Sequence, residues 1–148
     1  MSADNKHPNA DNKHPSADSK HPNADNKRPS EPIRYSYYPG CTAEGTSIEF
    51  DHSSKAVCEA VGIELVELED WSCCGASSAH SLSHELALSL PGRNVALAQD
   101  AGLDVVIPCP ACYQNSMSAD NAFREDDGWR QKMEGLLNFR YTGQGRPR

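Results

Sequence analysis

From residue 33 onward the apolar positions follow two rhythms, short aromatic or β-branched runs and longer stretches repeating every three or four residues. Arg34-Tyr35-Ser36-Tyr37-Tyr38 has strand composition and stops at Pro39-Gly40. Residues 46–61 read as a helix with Phe50, Val57, Ala60 and Val61 as its apolar face, ended by Gly62. Residues 63–68 alternate as a second strand. Ser77 or Ser78 is expected to cap a helix carrying Leu82, Leu86 and Leu90. Pro91 is expected to interrupt that helix, and a second one runs to Ala101 with Gly102 as its stop. Residues 103–107 form a third strand, of the β-branched kind buried in parallel sheets. Helices over 111–123 and 128–137 follow, and Phe139-Arg140-Tyr141 reads as a strand start.

The order β-α-β-α-α-β-α-α predicts an α/β fold with a parallel sheet and right-handed crossovers. Residues 2–29 differ in kind. They are four heptapeptides reading Ser/Asn-Ala-Asp-Asn/Ser-Lys-His/Arg-Pro. With Ala as the one apolar residue per repeat and a proline in each, this stretch can neither coil nor bury a core. Residues 1–32 are therefore expected to be a disordered arm, and residues 33–148 one domain. His7, His14 and His21 recur within the arm and are read as solvated residues of a low-complexity segment.

Charge sharpens this division. The arm is neutral, so the net −7 falls on residues 33–148, which carry nine basic and sixteen acidic side chains. That balance argues against a nucleic-acid surface, which needs a basic stripe. No apolar run reaches the roughly 20 residues of a membrane helix. The segment after Met1 lacks the apolar core of a signal peptide, so a cytoplasmic location with reduced thiols is expected, and no direct membrane insertion.

In such a setting six cysteines point to metal or redox chemistry rather than disulfides. Five of them fall where a strand hands over to a helix. Cys41 closes Tyr38-Pro39-Gly40-Cys41; Cys73 and Cys74 lie in Trp71-Ser72-Cys73-Cys74-Gly75; Cys109 and Cys112 form Pro108-Cys109-Pro110-Ala111-Cys112. In a parallel sheet all three places share the C-terminal strand edge, where such folds bind ligands. Cys58, inside a helix, reads as a small buried residue.

One knuckle, one vicinal pair and one lone cysteine make an awkward tetrahedral zinc site. The same set can hold neighbouring irons of an iron–sulfur cluster. Gly75 is expected to leave room beside the cluster, with Pro39, Pro108 and Pro110 stiffening the loops. Zinc remains an alternative. So does a thioredoxin-like redox pair at Cys109 and Cys112, although it leaves Cys41, Cys73 and Cys74 without a role. His80 and His84, one turn apart on the expected helix, are read as surface or supporting histidines.

These motifs together resemble the cysteine-rich CCG domain, in particular the B subunit of CoB–CoM heterodisulfide reductase and its bacterial homologues. The resemblance extends over about residues 34–145, including residues 61–68 and Ala101-Gly102-Leu103-Asp104. It implies a three-layer Rossmann-like fold with cysteine ligands at the C-terminal strand edge. It further implies that Cys41, Cys73, Cys74, Cys109 and Cys112 bind a non-cubane [4Fe–4S] cluster. The implied activity is oxidoreductase chemistry on sulfur groups, the cleavage of a disulfide such as CoB-S-S-CoM. Electrons would come from ferredoxin-like and flavin-containing subunits of the same complex.

The family's B subunit carries a second CCG module, whereas this sequence has one Cys-Cys-Gly, and the heptapeptide arm is foreign to the family. The chain is therefore expected to be truncated before a second module and to supply half of such a site. Two other functions fit the same motifs: a CCG subunit of a quinone-linked succinate dehydrogenase complex, peripheral to the membrane through its partners, and a non-catalytic metal-binding module.

Overall fold

A computed structural model describes residues 31–148, so the arm expected over 1–32 lies almost wholly outside the described residues. Among them are three parallel strands and six helices. Strand β1 (Ile33–Tyr37) is central. It pairs with β2 (Ile63–Glu67) from Ile33↔Ile63 to Tyr37↔Glu67, and with β3 (Val105–Val106) through Ser36 and Tyr37, in the order β2-β1-β3. β1 runs from an exposed Ile33 to a buried Tyr37, so the chain is already in the core when it reaches Tyr38 and Pro39.

The β1–β2 crossover contains a short helix α1 (Gly40–Glu44), absent from the sequence reading, and α2 (Ile48–Ala60). The expected apolar face of α2 turns outward: Phe50, Val57 and Val61 are 56%, 63% and 56% exposed. A polar stripe faces the sheet instead. Buried Asp51 accepts a 2.7 Å bond from the Tyr37 hydroxyl, and Lys55 reaches both Asp51 (2.8 Å) and Glu67 (3.5 Å). The tyrosine at the end of β1 recruits a carboxylate, which rotates the helix away from its apolar side.

Between β2 and β3 lie α3 (Ala76–Leu82) and α4 (His84–Ala101). The break falls at Ser83 rather than Pro91. Ser83 is extended and its hydroxyl accepts from the Leu86 amide at 3.0 Å, which caps α4. Pro91 stays inside the helix, buried beside Gly92, where an added Cβ would lie 3.3 Å from the Phe123 ring. α3 starts at Ala76 after a left-handed Gly75, so the cap position falls on that glycine and residues 77 and 78 lie inside the helix. Gly102, also left-handed, ends α4 as expected.

Helices α5 (Pro110–Glu125) and α6 (Asp127–Leu137) follow β3, and α4 against α5 is the largest contact between elements. Phe139 and Tyr141 form no strand. They pack on Phe123, with ring centroids 5.3 and 5.1 Å away, to complete a core of Val95, Phe123 and Met133. The further pairing beside β3 comes from Pro147, which bridges Val105 in parallel. Asp104 fixes that segment by accepting from the Arg146 amide (3.0 Å) and Arg148 Nε (2.8 Å). The other core cluster joins Tyr38, Leu68, Ala98, Val105 and Ile107 to Cys74 and Cys112.

Candidate metal centre

The three cysteine groups meet at the C-terminal ends of the strands. Cys41 is the second residue of α1, Cys73 and Cys74 lie in the loop from β2 to α3, and Cys109 and Cys112 open α5. The sulfurs of Cys74 and Cys112 are 3.2 Å apart, and those of Cys73 and Cys41 are 3.9 Å apart. Cys109 lies near enough to Cys112 to raise its thiol further. Cys41 and Cys73 are exposed while Cys74 and Cys112 are buried, so the patch has an open side and a floor. Cys58 is half-buried on α2, with Tyr37 within electrostatic reach.

Gly40, not Gly75, makes room for the thiols. Gly40 is left-handed (φ +74°), and an added Cβ would stand 3.1 Å from Cys112 Sγ and 3.9 Å from Cys109 Cβ. A Cβ on Gly75 would instead strike Ala79 and Leu90, so that glycine serves the packing of α3 on α4.

The loop carrying Cys73 and Cys74 is gripped by residues the sequence reading did not single out. Asn94, buried on α4, donates to the Ser72 carbonyl at 2.7 Å and accepts from the Ser72 amide at 3.0 Å. The Tyr38 hydroxyl donates to the same carbonyl at 2.9 Å, and the Tyr38 ring meets Trp71 edge-on at 5.2 Å. Arg93 holds the left-handed Asp70 through its carbonyl at 2.5 Å and through its carboxylate. His80 and His84 lie on different helices; His80 contacts Asn115, and His84 is exposed at the start of α4.

The thiols perturb one another. The bond from Cys112 holds the Cys74 thiol below its ordinary range, against burial, and the Ala76 amide and Asn115 assist. The contact with Cys74, then burial, pushes Cys112 up. The Gly75 amide draws Cys73 down, but burial and Cys41 together outweigh it and leave it raised. Burial, then the charge of Cys112 and Cys74, raises the Tyr38 hydroxyl.

Among the described residues no group of three or more His, Cys, Asp or Glu side chains is already arranged to hold a metal ion. Thiols in two contacting pairs with a fifth alongside, spread over three strand ends, suit a group of several metal atoms better than one ion. No described helix is long and apolar enough to cross a membrane.

A parallel sheet whose strand ends assemble five thiols defines a cysteine-rich module, and the chain belongs to the CCG cysteine-rich domain family, whose profile matches residues 35–115. It is 38% identical over 78 residues to the 8-methylmenaquinol:fumarate reductase membrane anchor subunit of Wolinella succinogenes, across 53% of this chain and 28% of that protein. It is 25% identical over 120 residues to a protein of Archaeoglobus profundus that is named as like the B subunit of heterodisulfide reductase, across 78% of this chain and 40% of the relative. Over 94 residues it is 24% identical to the B subunit of the ferredoxin/F420H2-dependent CoB-CoM heterodisulfide reductase of Methanosarcina acetivorans, across 63% and 31%. The chain thus spans less than half the length of these relatives. A crystal structure of a hypothetical protein from Helicobacter pylori shares the fold, with TM-score 0.66 and 15% identity over 80% of this chain and 25% of that one.

Proposed function

We propose that this chain is an iron–sulfur module of a multi-subunit oxidoreductase, with Cys41, Cys73, Cys74, Cys109 and Cys112 holding a non-cubane [4Fe–4S] cluster. The observation that supports this is the meeting of three sequence-distant cysteine groups at one sheet edge, with sulfur separations of 3.2 and 3.9 Å. Residues 33–148 are read as one module, and the order β2-β1-β3 as the centre of a three-layer Rossmann-like fold.

When bound, such a cluster supplies one-electron redox steps and iron sites able to accept a thiolate. The chain's own residues then have distinct tasks. Gly40 keeps the Cys109–Cys112 knuckle clear of the β1–α1 turn, and Asn94 with Tyr38 fixes the backbone from which Cys73 and Cys74 project. Cys74 and Cys112 form the dry floor, and the exposed Cys41 and Cys73 face the side from which a substrate or partner arrives.

The first reading is disulfide reduction within a heterodisulfide-reductase-like complex. A second CCG module completes the site there, and ferredoxin-like and flavin-containing subunits deliver electrons. The second reading is the electron-carrying CCG subunit of a quinone-linked fumarate or succinate complex, held at the cytoplasmic face of a membrane by its partners. The 38% identity to the methylmenaquinol:fumarate reductase subunit, against 25% and 24% for the other relatives, favours that reading.

Anaerobic purification with iron, sulfide and zinc analysis tests the centre, since zinc without sulfide would refute it. Co-purification then separates the complexes. A flavoprotein fumarate or succinate subunit supports the second reading, and a flavin-containing heterodisulfide-reductase-type subunit supports the first.

A further inference from the structure

Helix α3 packs against α5, and two polar side chains across that contact end on a thiol. His80 Nε2 lies 3.3 Å from Asn115 Oδ1, and Asn115 Nδ2 lies 3.7 Å from Cys74 Sγ, within hydrogen-bonding reach of sulfur. The two ends of a side-chain amide are assigned from the partners each can satisfy. A thiolate or metal-bound sulfur accepts and does not donate, so the NH2 end must face Cys74. Oδ1 then faces His80, whose Nε2–H donates to it. Each bond fixes the direction of the other.

Asn115 stands three residues after Cys112 on α5, which places both on one side of that helix. It is half-buried, so its bond to sulfur is partly shielded from water. We propose that Asn115, oriented by His80, is a positioning residue that acts through Cys74 and raises the reduction potential of the iron–sulfur group. This rests on the reading of Cys74 as a cluster ligand. An electron added to such a group increases the negative charge on its sulfurs, and a fixed N–H donor stabilises the reduced state more than the oxidised one.

The test is an anaerobic potentiometric titration of the full chain, followed by EPR, with iron and sulfide measured on each sample. Asn115→Leu keeps the approximate shape without the donor. It should lower the equilibrium constant for reduction severalfold, on a scale of about 59 mV per tenfold for a one-electron couple. Asn115→Gln should recover part of the loss. His80→Ala should lower it in the same direction but by less, because the amide remains and loses only its orientation, and His80→Gln should restore much of that.

A cluster-bearing Asn115→Leu chain with the wild-type potential would overturn the proposal, as would an upward shift. If Asn115→Leu holds no cluster, the exposed His80 pair decides. A lowered potential in His80→Ala that His80→Gln restores supports the proposal, and an unchanged potential overturns it. A wild-type chain without iron and sulfide would refute the cluster reading itself, and this role for Asn115 with it; the metal analysis tells that failure apart from a simple absence of tuning.

Discussion

Replacing Asn94 by Leu should loosen the Cys-Cys-Gly loop at its main anchor. Asn94 is 2% exposed and makes two hydrogen bonds with the backbone of Ser72, the residue before Cys73. Leucine keeps the branched shape and leaves no cavity, although its methyl groups add bulk, so the main loss is that of the hydrogen bonds, with some overpacking on top. The Ser72 carbonyl keeps the Tyr38 hydroxyl, but its amide loses the acceptor that Asn94 provides. A lost hydrogen bond costs roughly 0.5–1.5 kcal/mol, and a donor stranded in a dry place roughly 1–3 kcal/mol. These overlap in part, giving a total of about 1–4 kcal/mol, or on the order of 4 °C of Tm per kcal/mol for a domain of this size. Urea unfolding of the cofactor-free chain measures this without the stabilisation that a bound group adds. Tyr38→Phe, which removes a single bond to the same carbonyl, should cost about 1 kcal/mol. A loss below about 0.5 kcal/mol for Asn94→Leu, the scatter of ordinary surface substitutions, would refute the reasoning.

Other perturbations follow from the same contacts. Each of Cys41, Cys73, Cys74, Cys109 and Cys112 replaced by Ala should lower the iron and sulfide content of anaerobically purified protein, whereas Cys58→Ala should not; the opposite result for Cys58 and Cys41 would refute the assignment. Gly40→Ala combines a left-handed backbone, costing about 1–2 kcal/mol, with a Cβ 3.1 Å from Cys112 Sγ, so metal content should fall further than that destabilisation alone explains. Burial opposes the charge on Asp51, yet bonds from Lys55 and Tyr37 outweigh it and hold the carboxyl below its ordinary range. Its folded pKa is therefore depressed, and its contribution is present above the unfolded value of about 3.9 and lost as pH falls through the folded one. Asp51→Asn should accordingly be less stable than wild type at neutral pH, with the gap closing in unfolding curves taken below about pH 4. On the disulfide-reduction reading proposed above, adding a second CCG module and an electron-delivering subunit should raise heterodisulfide turnover with a viologen donor above that of this chain alone; no increase would count against that reading.

The parallel sheet was legible because its signals are local. Tyr35 to Tyr38 ends at Pro39-Gly40, residues 63–67 alternate, and Gly102 stops a helix in the left-handed conformation its place demands. The orientation of α2 was not legible. A pattern of Phe50, Val57 and Val61 promises a buried face only if nothing else competes for the sheet. The hydroxyl of Tyr37, emerging at the end of β1, requires an acceptor once buried, and Asp51 supplies it. The helix break was misplaced for a related reason. Proline is weighed as a breaker wherever it occurs, but the local capping bond of Ser83 ends one helix and begins the next, while Pro91 is carried inside a long helix packed on three others.

At the thiol patch the legible part was the cysteines, whose positions after strand ends follow from topology alone. The residues that hold the patch in shape carry no such mark. Asn94 lies 22 positions from Ser72 and Asn115 lies 41 from Cys74, so their roles exist only once α4 and α5 have packed. A sharper reading could have noted that Asn115 follows Cys112 by three residues, and that a helix places such neighbours side by side. For the glycines the fault lay in reasoning from adjacency. Gly75 follows the vicinal cysteines directly, but left-handed geometry turns its missing side chain toward Ala79 and Leu90. Gly40 belongs to a different strand end, yet it stands against Cys112. Room for a group bound between strand ends is made where those ends approach one another, so the glycine that matters most at one cysteine sits one residue before another.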